Sequence, residues 1–225
     1  MVCIQGFKST GMEADRIRIK ALLVSFAMVI LVEGAAMIIV AKGCSDIMII
    51  LGCARLIEII VIITVIIIWE KGLPSIGLAP SMMADGFRKG LIWSTGFGIV
   101  ALFSFAILFL FGINPAPLIY TNMPAVHSKI VIFFLVGGIL APAAEEIFFR
   151  GIIYGFFRKW GVCPAFVSSV LIFVIAHHII AGFPVTQVAG GIIFAVAYEI
   201  EGNLMVPITI HSLGNMVLFI ISLLR

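Results

Sequence analysis

Seven long apolar stretches divide this chain, at 21–41, 46–69, 91–113, 128–157, 162–181, 183–200 and 203–224. Crossing the hydrocarbon of a bilayer takes roughly 20 apolar residues in a helix. Inside it every backbone N–H and C=O must find a protein partner, which restricts a spanning chain to helices or a closed barrel. The stretches are continuously apolar rather than alternating, so they read as helices. The expected fold is therefore all-α, a polytopic transmembrane bundle of about seven membrane-spanning helices. Composition agrees: 63% of the 225 residues are hydrophobic and 11% are charged, against about 45–50% and about 25% in soluble domains. No room remains for a separate soluble domain, and 1–225 reads as one integral membrane domain.

Between the stretches the punctuation is clear. Residues 1–20 are polar and basic. The apolar run after them is longer than a signal-peptide core and has no small-residue cleavage site, so it reads as a retained helix. Residues 70–90, with Pro74 and Pro80, read as an amphipathic stretch at the interface, flanked by Trp69 and Trp93 as belt residues. Residues 114–126 carry Pro115, Pro117 and Pro124 and read as a loop. The first three spans thus occupy 21–113, and 125–222 holds the remaining core. No internal repeat is evident.

Charge sets the expected orientation. With the N-terminus in the cytoplasm and seven spans, the cytoplasmic side holds Lys8, Arg16, Arg18, Lys20, Lys71, Arg88, Lys89, Arg158 and Lys159. The opposite side holds Lys42, Lys129 and Arg225. Nine against three obeys the positive-inside rule. The net charge of +3 calls for no nucleic-acid partner. Cys3, Cys44, Cys53 and Cys163 form no C-x-x-C pair and read as small buried apolar side chains.

Ionisable groups inside spans are costly, so each raises a functional question. One set is Glu33, Arg55 and Glu58 in the first two spans; Arg55 and Glu58 are three apart and can share a helix face. It reads as a structural ion pair drawing in Glu33, with substrate contact as the other possibility. The second set is denser: Glu145, Glu146 and Arg150, then His177 and His178, then His211 and Asn215. Adjacent carboxylates on a helix point about 100° apart. Glu146 pairs with Arg150 at i, i+4, which leaves Glu145 turned elsewhere as the candidate reactive carboxylate. His178 points away from His177 and is assigned no role. His211 and Asn215, four apart, share a face. Counted from the expected cytoplasmic helix ends, Glu145, His177, His211 and Asn215 lie at roughly 18, 22, 12 and 18 Å. Three helices thus place polar groups in one layer, with types suited to hydrolysis: a base, an imidazole and a pair of donors. Pro142 and Pro207 each precede a key residue by three or four positions, and each is expected to remove a backbone hydrogen bond.

These residues resemble the motifs of the CPBP family, the CAAX-processing and bacteriocin-processing membrane proteases. Glu145-Glu146-x-x-x-Arg150 is similar to its E-E-x-x-x-R motif, Phe173-x-x-x-His177 to F-x-x-x-H, and Asn203 to Pro207 with His211-x-x-x-Asn215 to its last motif. The resemblance covers roughly residues 125–220. It implies a glutamate-type intramembrane protease needing no cofactor. Glu145 and His177 would activate water, His211 and Asn215 would form the oxyanion hole, and Glu146 and Arg150 would support the site or bind substrate. The implied partners are the lipid bilayer and a membrane-anchored protein or peptide, cut near its C-terminus or in a precursor. Compact length and short loops point to a prokaryotic cell membrane.

Other readings of the same residues stay open. Two histidines and a glutamate also suit a zinc protease, although H-E-x-x-H is absent. A thiol protease would need a cysteine beside a histidine, and Cys163 is a helix-length from His177. A non-catalytic immunity or partner-binding protein would use the same spans without hydrolysis.

Overall fold

The structure, a computed structural model, describes residues 17–43, 46–177 and 184–224. Most of the basic N-terminal segment (Lys8 and Arg16 included), Cys3, Cys44, His178, Phe183 and Arg225 lie outside the described residues. Among those described there are no strands and seven long helical segments. They are α1 (Ile19–Ala41), α2 (Ile47–Trp69), α3 (Met83–Leu110), a composite α4 (Lys129–Trp160), α5 (Val162–His177), α6 (Val185–Glu201) and α7 (Met205–Leu223). Five of them, α1, α2, α3, α4 and α7, are long and apolar enough to cross a membrane; α5 is a shorter apolar helix. The chain is a multi-pass helical membrane protein.

The third helix corrects one expected boundary. Residues 70–90 are not one continuous stretch ahead of the third span. Pro74 and Pro80 open two short 3₁₀ turns, Leu73–Ile76 and Pro80–Met82, and α3 has begun by Met83. Proline in a first turn forfeits no bond, and none comes before Pro115 to stop the helix. Asp85 in the first turn pairs with Arg88 and Lys89 at i+3 and i+4, both at 3.1 Å, which stabilises the polar start of α3.

Packing follows small residues and a charged end. On α3 a Cβ at Gly86 would lie 2.4 Å from Asn203 Oδ1, and one at Gly90 2.5 Å from Thr209. Glycines four apart let α3 lie directly on α7, the close-approach mode available to helices in lipid. Gly77, at φ +70°, makes the turn whose carbonyl accepts from Leu204 N–H at 2.9 Å, a conformation that favours glycine. At the end where α4 finishes, Glu199 accepts from Tyr154 Oη at 2.7 Å and from Arg158 at 2.8 and 3.0 Å. Glu201 takes Trp93 Nε1 at 2.9 Å and Lys89 at 3.0 Å. These bonds tie α3, α4 and α6 together at that end. At the far end Asp46 caps α2 through Met48 N–H and pairs with Lys129 at 2.6 Å, contacts that hold its carboxyl below the usual range.

The composite helix α4 sits in the middle. Residues 147–156 are buried almost without interruption, packed by α1, α2, α5 and α6. It is α-helical only in part: Val136–Leu140 and Ile147–Tyr154 are π-helical, on either side of Ala141–Glu146. Each π segment carries one more residue per turn and re-aims the side chains beyond it.

Candidate active site

Pro142 explains the first π segment. In that register Ala141 N–H bonds to Val136 O, so the next carbonyl, Gly137 O, would need the N–H of residue 142. Proline has none. Asn215 Nδ2, from α7, donates to Gly137 O instead at 2.8 Å. The freed carbonyl therefore pins α7 to α4 about two turns before Glu145. Pro207 behaves otherwise than expected: it lies in the first turn of α7, where it breaks no helical ladder.

Glu145 and Glu146 diverge as two adjacent helical residues must. Glu146 is wholly buried, and its Oε1 receives both Arg150 Nη1 at 3.0 Å and His211 Nδ1 at 2.8 Å. Arg150, also wholly buried, extends to Gly191 O on α6 at 3.0 Å. Its guanidinium carbon sits 4.7 Å from the Phe173 ring centroid and 5.3 Å from that of Phe194, within cation–π range. Phe194 also stacks on the His211 ring, 4.6 Å between centroids at 19°. Carboxylate, guanidinium, imidazole and two aromatic faces form a closed cluster across four helices.

Glu145 faces the other way. Its Oε2 is buried, 3.4 Å from His177 Nε2 and 3.8 Å from His211 Nε2. Both histidines are held by their other nitrogen. His177 Nδ1 lies 2.8 Å from Phe173 O, and a carbonyl only accepts, so Nδ1 carries the hydrogen and Nε2 faces Glu145 with its lone pair when the ring is neutral. His211 Nδ1 donates to Glu146, so its Nε2 also turns toward Glu145. The result is one carboxylate oxygen flanked by two imidazole nitrogens of fixed orientation, drawn from α4, α5 and α7.

Five of the six expected site residues, Glu145, Glu146, Arg150, His177 and His211, are linked by these contacts; Asn215 lies one turn beyond His211 on α7, bonded to Gly137 O. Three features are not foreseeable from the sequence: the Glu146–His211 bond, and the contributions of Gly191 and Phe194 on α6. The residue pair Glu146 and His211 is 65 apart in sequence, and Phe194 is one aromatic in an apolar helix, so neither announces itself. Among the described residues no group of three or more His, Cys, Asp or Glu side chains is arranged to hold a metal ion.

Comparison with known proteins places this constellation. Residues 127–217, which contain every one of these side chains, match the family model described as "Type II CAAX prenyl endopeptidase Rce1-like". That segment, less than half of the chain, is similar to the CPBP family. A curated relative, "Membrane-embedded CAAX protease MroQ" of Staphylococcus aureus (strain USA300), is 37% identical over 107 residues. The match takes in 44% of this chain and 43% of the relative, so less than half of that relative's length is covered. No solved structure matches the chain. The matched segment begins at the N-terminal end of α4 and ends within α7; α1, α2 and α3 lie outside it.

Proposed function

We propose that this protein is an intramembrane endopeptidase of the glutamate type, acting on a membrane-associated protein or peptide near its C-terminus or within a precursor. The observation that carries the proposal is Glu145 Oε2 set between His177 Nε2 and His211 Nε2 at 3.4 and 3.8 Å, with both opposite nitrogens tied. The name of the staphylococcal relative, a membrane-embedded CAAX protease, supports the reaction class.

In this reading Glu145 and His177 take a proton from water as its oxygen bonds to the scissile carbonyl carbon. A carboxylate and an imidazole at hydrogen-bonding range are suited to that transfer. The carbonyl oxygen becomes an oxyanion, received by His211 Nε2–H, with the ring acting as an imidazolium, and by the second amide hydrogen of Asn215. Each such donor is worth about 3–4 kcal/mol in a site that excludes water. The C–N bond then breaks, and the proton first taken from water passes to the leaving amine. Glu146 and Arg150 take no part in proton transfer; they hold His211. We place the N-terminus and the end of α4 in the cytoplasm on the charge asymmetry, so a reporter fused after Lys159 is expected on the cytoplasmic side.

The test uses purified, reconstituted protein and a membrane-anchored peptide substrate. Glu145→Gln is expected to fold and to lose about 10²–10⁴ of its cleavage rate, the range for a general base. Glu146→Gln is expected to lower thermal stability as well, since it weakens the carboxylate partner of Arg150. Activity is expected to survive exhaustive chelation; loss on chelation and recovery with zinc would reassign Glu145, His177 and His211 as metal ligands.

A further inference from the structure

The intramembrane set of Glu33, Arg55 and Glu58 lies outside residues 127–217 and outside the proposed chemistry. Glu33 of α1 and Glu58 of α2 both bond Arg55, Glu58 at 2.5 Å. Arg55 lies 14 residues from the Trp69 end of α2, and Glu33 lies 14 from the Ile19 end of α1. At 1.5 Å per residue both sit about 21 Å deep, close to the layer of Glu145. α2 reaches that layer because Gly52, one turn before Arg55, admits Val136 of α4; a Cβ there would lie 2.9 Å from the valine. α2 also packs against the Ala141–Glu146 segment that carries Glu145.

Two features separate this triad from the sealed Glu146–Arg150 pair. The Arg55 side chain is 19% exposed and that of Glu33 is 27% exposed, and beside it a Cβ at Gly34 would meet nothing within 4 Å among the described residues. Glu58 is the reverse: it is 3% exposed, and its Oε1 is buried with no donor among the described residues. Partly open charges at the middle of a bilayer do not sit against lipid tails; they face protein or water. A buried carboxylate oxygen without a protein donor is likewise costly unless water reaches it.

We propose that Glu33, Arg55 and Glu58 form the polar wall of a hydrated groove between α1 and α2 that brings water to the depth of the Glu145 layer. A hydrolase enclosed in hydrocarbon needs such a route, and this one reaches α4 along α1 and α2, which both pack against it. The purpose assigned to the groove rests on the protease reading, but its existence does not, so the experiment reads water access without activity.

In a cysteine-free version of the full chain in membranes, Gly34→Cys is compared with Leu31→Cys, a lipid-facing position on α1 (63% exposed) within one turn of the same depth. The probe is a membrane-impermeant methanethiosulfonate bearing a quaternary ammonium, applied to each face in turn; a small lipid-soluble maleimide confirms that both thiols are present. Gly34→Cys is expected to react from one face at least about tenfold faster than Leu31→Cys, because charged reagents are excluded from hydrocarbon. Replacing Glu33, Arg55 and Glu58 together by leucine is expected to bring its rate down to that of the control. Equal rates at the two positions would overturn the proposal. So would fast labelling at Gly34→Cys that the leucine triple variant leaves unchanged.

Discussion

Helices α3 and α4 are nearly equal in length and both apolar, yet the structure uses them in opposite ways. Counted with their flanking turns they are 31 and 32 residues long; the apolar window of α3 has 0% of its residues buried within the protein and that of α4 has 39%. α3 touches its neighbours through Gly86, Gly90, Trp93 and Lys89 at one end and presents side chains such as Leu102 and Phe103 outward. α4 is packed by α1, α2, α5, α6 and α7, holds Glu145, Glu146 and Arg150, and departs from α-helical register twice. Lipid tails are as apolar as leucine, so burial of apolar surface does little to choose between these fates. What distinguishes α4 is its set of buried polar groups, each with partners on other helices. Those partners fix its position in a way that leucines on α3 cannot.

The largest expected effect breaks the polar cluster. Arg150→Met leaves Glu146 charged and buried without its guanidinium, and removal of one partner of a buried pair costs about 3–5 kcal/mol. Thermal unfolding in detergent is expected to show that loss, while Leu102→Ala on α3 stays within about 0.5 kcal/mol. A mild effect of Arg150→Met would mean that the cluster does not hold α4.

A second experiment sharpens the comparison within α3 itself. Gly90→Ala forces a methyl group to within 2.5 Å of Thr209, and overpacking of this kind costs about 1–3 kcal/mol. Gly98→Ala, two turns further on, meets nothing within 4 Å. Alanine is there the better helix former by up to about 1 kcal/mol, so this variant is expected to unfold no lower than wild type. Equal losses at the two sites would contradict the view that α3 is packed most tightly near its start.

The smallest effect concerns Phe194. Phe194→Leu removes an aromatic face from both Arg150 and His211 and is expected to cost about 0.5–1.5 kcal/mol, with cleavage lowered mainly in kcat. Phe194→Tyr keeps the ring and is expected to recover most of that loss. Failure of the tyrosine to recover more than the leucine would reduce Phe194 to a volume in the core.

Much of this arrangement can be read from spacing. Intramembrane charge is rare enough that Glu145, Glu146, Arg150, His177 and His211 stand out in the chain, and helical geometry separates Glu145 from the Glu146–Arg150 pair. The Arg55–Glu58 bond and the approach of Glu33 obey the same rule. The start of α3 is harder, because Asp85, Arg88 and Lys89 resemble an interfacial stretch until their mutual i+3 and i+4 pairing is seen. The π segments are not legible at all. Pro142 signals a disturbed ladder, but whether the chain kinks or slips into π register depends on a donor from α7, Asn215. Phe194 and the Gly191 carbonyl are hidden for a similar reason: nothing in an apolar helix marks which ring or carbonyl a distant arginine will choose.

The central claim is that Glu145 and His177 act together on one proton, and a double substitution tests it most directly. Groups that act as a unit give grossly non-additive losses. Cleavage by reconstituted Glu145→Gln, His177→Gln and the double variant should be measured with folding checked for each. Each single substitution is expected to lower the rate by about 10²–10⁴, and the double variant to be no slower than the slower single one within about threefold. Losses that multiply in the double variant, or near-normal cleavage by Glu145→Gln, would contradict the claim.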